Sequence, residues 1–372
     1  MEVSNYINEM KEFSEMLLSY FDIESDNNSG FLNLFDNIES LKIGESREEL
    51  KNFFNLLINV ANDHHRCADF FDRIEKILLY FVSNIKQTFS NLELFQIFQR
   101  NKRILLFLFT SNIITIDETI LKYIDNFESR LYFYPEIKNF LNPQEKKTIE
   151  NKLFKIIPKK NFDFKKVREI GENESLICQM IRNDAIDDFI DYVDQSNVSL
   201  SKVITPSIFE TNSFLIGKMP TLIEYAAFFG SYQIFQFLKL SDIENLPSSL
   251  WLYSIHSNKA EIIHLLEESL VVPEDKSYIE CYEEAVKCYH NEIASYILNN
   301  LMRKKPKNLD ECIFRYYNYP LFPSDITEQH IVYYLCKYNY ITLVKLLLNS
   351  KKVNLKSKTI SKKKIFFIKF FF

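Results

Sequence analysis

Three groups of side chains in this 372-residue sequence have the types that chemistry needs. His64 and His65 stand beside Cys67, all of them metal-ligand types. Adjacent residues on a helix point about 100° apart, so neighbouring histidines rarely turn to one ion. No second cysteine cluster at zinc spacing completes a tetrahedral set. A helix end or loop is the expected role of this stretch. Cys288-Tyr289-His290 puts a thiol beside an imidazole, the pairing that activates a nucleophile. Glu267-Glu268, Glu283-Glu284 and Asp187-Asp188 are paired carboxylates on helical stretches whose polar faces are ordinarily solvated. A general acid needs burial and a partner as well. No nucleophile elbow, phosphate-binding loop or dinucleotide fingerprint occurs. The expectation is no catalytic residue, no cofactor and no bound metal.

The elements that would carry these residues are read from Pro220 to Leu238. Thr221 is placed to cap a helix, because its hydroxyl accepts from an amide two or three residues on. Ala226 and Ala227 keep that helix thin. Gly230 stops it, since glycine takes the left-handed conformation at no steric cost. Ile234, Phe235, Phe237 and Leu238 then form an apolar stripe at helical spacing. Such a helix pair cannot bury its own apolar face, and it predicts copies on both sides. Copies follow in 249–266 with Asn258 at the turn, in 285–297 with Tyr289, and in 334–347 with Asn339. A weaker one in 178–190 has Arg182 at the turn. From 230 to 258 and from 258 to 289 the steps are 28 and 31 residues. The outer steps are longer and leave room for an insertion or a degraded copy.

Thr221-Leu-Ile-Glu-Tyr-Ala-Ala, followed by Gly230-Ser231, resembles the ankyrin repeat, and Lys352-Val353-Asn354 is similar to that repeat's closing residues. Leu222 and Glu224 depart from the usual Pro and His, and the steps are shorter than the roughly 33 residues of that repeat. The resemblance implies an all-α fold, an elongated solenoid of antiparallel helix pairs, with divergent ankyrin-like repeats in the C-terminal half. His290 then occupies a turn position where that family keeps a histidine bonded to backbone. The exposed face of each first helix lines a concave groove in that family. Counting back from the turns gives Tyr225, Phe228 and Phe229; Tyr253, His256 and Ser257; Glu284, Lys287 and Cys288; Tyr334, Lys337 and Tyr338. Exposed aromatics in a groove suit a binding hot spot, because they offer area at low entropic cost. Phe228 and Phe229 would equally serve to pack under the long connection 197–218. The implied function is non-catalytic binding of a protein partner, as adaptor or scaffold; the alternatives are a peripheral membrane protein held by its C-terminal tail and an enzyme with an unrecognised site in the N-terminal half. The whole chain also resembles a protist multigene family of divergent ankyrin proteins with a helical N-terminal half of unknown function. Asn62-Asp-His-His-Arg66, Asn101-Lys-Arg-Ile-Leu-Leu-Phe-Leu108 and 206–215 carry that likeness.

Composition excludes several classes. Apolar residues make up 47%, too many for a disordered chain. Five glycines argue against phosphate-cradling loops and turn-rich β folds. A net charge of −5 gives no nucleic-acid signal. Six cysteines without paired spacing read as reduced thiols in an intracellular, cytoplasmic protein; a monomer is expected as well. No apolar run reaches the roughly 20 residues of a membrane span.

In order, helices are expected at 3–21, 31–41, 46–61, 68–88, 91–99 and from Asn142-Pro143 to before Pro158. Residues 159–166 read as a linker. The expected division is a helical domain over 1–165, a repeat domain over 166–356 and a tail over 357–372. That tail is basic and Phe-rich. It reads as a truncated repeat, or as a membrane-surface anchor in which Lys362, Lys363 and Lys364 face anionic lipid while Phe366, Phe367 and Phe370 insert.

Overall fold

The computed structural model describes residues 2–23, 28–67, 69–157, 162–242, 246–306 and 308–350. The tail, and with it the expected anchor residues and Lys352-Val353-Asn354, lies outside them. The fold is all-α, with about 67% of the described residues helical. Extended pairing among the described residues is one antiparallel bridge, Val203 to Thr221.

Helix starts follow local chemistry. Ser90 with Glu93, Asn142 with Glu145 and Thr221 with Glu224 each form a reciprocal capping box, in which two orphan amide donors at a helix start are satisfied. Pro143 sits at the first helical position, where its missing N–H costs nothing. Asp117 caps the Glu118–Tyr123 helix.

Helix pairs are joined by one recurring turn. Asp184, Gly230, Asn258, Tyr289, Tyr317 and Asn339 all adopt the left-handed conformation, with φ between 47° and 71°. At five of them the next residue's amide donates five residues back: Ala185 to Met180, Ser231 to Ala226, His290 to Ala285, Asn318 to Ile313 and Tyr340 to Leu335. These bonds satisfy helix carbonyls that would otherwise end unpaired. One sequence expectation is corrected here, and one gap that was left open is filled. The upstream turn is at Asp184, not Arg182, because Arg182 is still the last residue of the Leu176–Arg182 helix. The long gap between Tyr289 and Asn339 contains a further pair, Glu311–Arg315 and the 3-10 turn Tyr319–Leu321, hinged on Tyr317.

Packing divides the chain into two units. A middle unit takes Ala61–His65 and Ile74–Glu274; an end unit takes Met1–Val60, Arg66–Arg73 and Asp275–Phe372. The boundary expected at 165/166 falls inside the middle unit.

In the middle unit the Leu176–Arg182, Leu222–Phe229 and Leu250–His256 helices pack successively, each also against its own partner helix. The pairs are bolted together by polar groups. Asp184 accepts from the amides of Gln233 and Ile234 at 3.0 Å, so the turn of one pair caps the second helix of the next. Ile181, Phe189, Leu222, Ala226, Ala227, Ile234, Phe235, Leu250, Trp251 and Ile262 form the core. Each large apolar side chain there contributes about 1.5–3 kcal/mol of burial.

In the end unit the Ile279–Lys287 helix packs on Glu311–Arg315, which packs on Gln329–Lys337. The Glu2–Asp22 helix then lies against Tyr319–Leu321 and the Ile341–Asn349 helix. Lys11 donates to the Phe322 carbonyl at 3.1 Å, and Asn52 to the Asn339 carbonyl at 3.3 Å. Glu49 accepts from the hydroxyls of Tyr6 (3.0 Å) and Thr342. The guanidinium of Arg73 binds the carbonyls of Tyr20, Phe21 and Ile23, closing the C-terminal end of Glu2–Asp22.

Candidate functional site: the first-helix faces and an open cleft

In the middle unit, the connection 197–218 is a strap tied down at both ends and along its length. The Ile204 amide donates to the Pro220 carbonyl at 2.7 Å, and Asn173 to the Thr205 carbonyl at 3.0 Å. Ser207 bonds Glu174, and Lys102 bonds the Ile208 carbonyl. Thr211 binds the Gly171 carbonyl through both its amide (3.0 Å) and its hydroxyl (2.6 Å). A Cβ at Gly171 would lie 2.9 Å from the Thr211 hydroxyl, so this approach requires glycine. Ser213 bonds the Asn62 carbonyl and the Asp63 carboxylate, while Asn101 donates to the Asn62 side chain at 2.9 Å. Two of the stretches behind the second resemblance, 62–66 and 101–108, therefore anchor the third, 206–215, which is part of the strap.

The strap inserts Phe214 into the face expected to be a groove. Its ring stacks on Phe228 (5.9 Å between centroids), stands edge-on to Tyr253 (4.9 Å) and touches His256 (4.3 Å). Lys218 lies 3.1 Å from the centre of that ring. Tyr225, Phe228, Tyr253, His256 and Ser257 are all buried, and Phe229 is half-buried. The expectation that these residues present an open groove is thereby corrected. The apolar area that would attract a partner is spent on the chain's own strap.

On the end unit the expected face stays partly open. Tyr334 is buried, Tyr338 half-buried and Lys337 exposed. Lys337 (2.6 Å) and the Tyr338 hydroxyl (2.7 Å) both donate to one oxygen of Glu311. Partial burial opposes ionisation of Glu311, but these two hydrogen bonds together with the charges of Lys337 and Arg315 hold the carboxyl below its ordinary range. The bond to Glu311 in turn raises the Lys337 ammonium. Glu284 and Lys287, both half-buried, pair at 2.9 Å.

The remaining chemistry-bearing residues are placed as follows. His64 is buried and His65 half-buried just past the Arg47–Asp63 helix, with ring centroids 4.3 Å apart. Cys288 ends the Ile279–Lys287 helix, and the buried His290 leads into Asn291–Tyr296. Burial pushes the Cys312 thiol up to about 12 and Cys336 up to about 11, and raises Cys178 and Cys281 as well. Protonated thiols are poor nucleophiles at neutral pH. Asp187, Asp188, Glu268 and Glu283 are exposed, and Glu267 meets His264 at 3.3 Å.

Sequence reasoning missed one feature. A cleft of about 500 Å³ opens in the middle unit between the Phe164–Ile170 and Leu176–Arg182 helices. Phe162, Val167 and Ile170 form its apolar wall. Asp163, Glu172 and Glu174 line it with Lys166 and Arg182. Gln179 and Asn183 complete it. Arg182 pairs with Glu172 at 2.7 Å and donates to the Asn173 carbonyl (2.8 Å) and the Tyr225 hydroxyl (3.0 Å). The described part of the expected linker is thus a cleft wall, with Asp163 capping Phe164–Ile170. The only sequence signal was an Asp at a cap position. No protein-family model, curated protein or solved structure matches the chain.

Proposed function

We propose that this chain is a non-catalytic protein-binding module, built as a solenoid of antiparallel helix pairs of divergent ankyrin-like type in its C-terminal half. Its partner docks on the first-helix face of the end unit, at Lys337 and Tyr338, with Glu284 and Lys287 beside them on that family's frame. The observation that supports this reading is the convergence of Lys337 and Tyr338 on Glu311. A half-exposed aromatic ring and a cation are held in position before any partner arrives, so little side-chain entropy remains to be lost on binding. The recurring left-handed turns support the repeat architecture, since each joins the two helices of a pair in the same way.

The experiment compares proteins co-purifying with the full chain and with a Tyr338→Ala/Lys337→Ala variant, by quantitative mass spectrometry. Both side chains are at the surface, so the variant keeps its helicity. The expected result is a small set of proteins lost from the variant alone, reflecting at least about 2 kcal/mol of lost binding. Equal recovery of the same proteins from both would remove this face from the hypothesis.

A further inference from the structure

We propose that the cleft between Phe164–Ile170 and Leu176–Arg182 receives a basic side chain of a partner protein, an arginine or lysine flanked by apolar residues. Nothing in this depends on the Glu311 face.

The volume, about 500 Å³, lies in the range of ligand-binding clefts and suits one long side chain with its neighbours. The charge inside favours a cation. Three carboxylates line the cleft against two basic side chains. One of the two, Arg182, is already answered by Glu172 at 2.7 Å and fixed by Asn173 and Tyr225. The other, Lys166, is an exposed residue whose flexible stem carries its charge out to water. Asp163 and Glu174 remain. Asp163 uses Oδ1 on the Lys166 amide, and Glu174 uses Oε2 on the Ser207 hydroxyl. Their second oxygens accept no hydrogen bond among the described residues. An anionic ligand would meet these carboxylates unfavourably. A guanidinium or ammonium would be paired by them, while its aliphatic stem lies along Phe162, Val167 and Ile170. Ile170 is 44% exposed, an apolar surface that this stem would cover.

The test uses the full chain and a short blocked peptide, acetyl-Leu-Arg-Leu-amide, followed by peptide-observed NMR at low and high salt. Matched peptides carry lysine, citrulline or glutamate in the central place. Two variants probe the site. Asp163→Asn/Glu174→Gln removes both charges while keeping a helix cap and an acceptor for Ser207. Ile170→Lys sets a cation on an exposed wall position, where folding is not at stake. Expected are saturable binding of the arginine and lysine peptides, at least about tenfold weaker binding to each variant, and weakening by salt. Citrulline and glutamate peptides should bind poorly. The proposal is overturned if neither basic peptide saturates, if citrulline or glutamate binds as well as arginine, or if both folded variants bind like the parent.

Discussion

Lys102 carries its charge where little water reaches it. Its ammonium binds the Ile208 carbonyl and lies 5.1 Å from the centre of the Tyr132 ring. Burial pulls it down to about 8, against the opposing pull of Glu210 and Glu128. The unfolded chain keeps the ordinary value of about 10.4, so between those values the unfolded state binds more protons and stability rises with pH. The burden is full below about 8 and gone above the unfolded value. Urea midpoints of the parent and of Lys102→Met, compared from neutral pH to pH ~10, should therefore differ progressively in the parent's favour. A pH-independent difference would refute this. Gly230 is a second single-residue case, with φ of 71° and Lys259 Cγ 2.7 Å from where a Cβ would stand. Gly230→Ala should cost about 1–2 kcal/mol, read from chemical denaturation. That glycine was legible in the sequence because no other residue takes the turn so cheaply. Tyr317 was not, since a tyrosine in the same conformation carries no such signal; its hydroxyl bond to the Tyr338 carbonyl, 2.7 Å long, helps hold it there.

The strap changes what a substitution in the aromatic face means. Phe214 is 8% exposed and touches Phe228, Tyr253 and His256. Phe214→Ala should lower unfolding stability by about 3–5 kcal/mol, with faster proteolytic cleavage within 197–218. An unchanged urea midpoint would mean that the ring packs less closely than described. Phe228→Glu would bury a charge beside that ring, so it reports on folding, not on a docking surface. Helices themselves were readable, because caps at Ser90, Asn142 and Thr221 and apolar stripes are local. Which apolar stripe meets solvent and which meets a strap was not. Both uses demand the same residue types at the same spacing, and only the path of 197–218 decides between them. The cleft was hidden for a related reason: its charges are scattered from Asp163 to Arg182 and converge through helix packing.

The end unit joins residues near 10 to residues near 340, a pairing no periodicity encodes. Leu17 is fully buried on the Glu2–Asp22 helix, which packs on Ile341–Asn349. Leu17→Ala should cost about 2–5 kcal/mol. Amide exchange by mass spectrometry should speed up in 341–349, more than three hundred residues away in the chain. Unchanged protection there would show that the two helices do not stabilise each other.

That pairing sets a timetable for synthesis. A ribosome completes the Glu2–Asp22 helix, with Phe13 and Leu17, long before it makes Tyr319–Leu321 and Ile341–Asn349, which pack against it. The 214 residues from 61 to 274 intervene, a wait of roughly 10–40 s at about 5–20 residues per second. During that interval the nascent chain displays the part of its apolar face that 319–349 will cover, and a chaperone must shield it or neighbouring chains will meet through it. A premature stop codon before residue 341 makes the wait permanent, so such a truncation fails at the opposite end of the protein from the lesion.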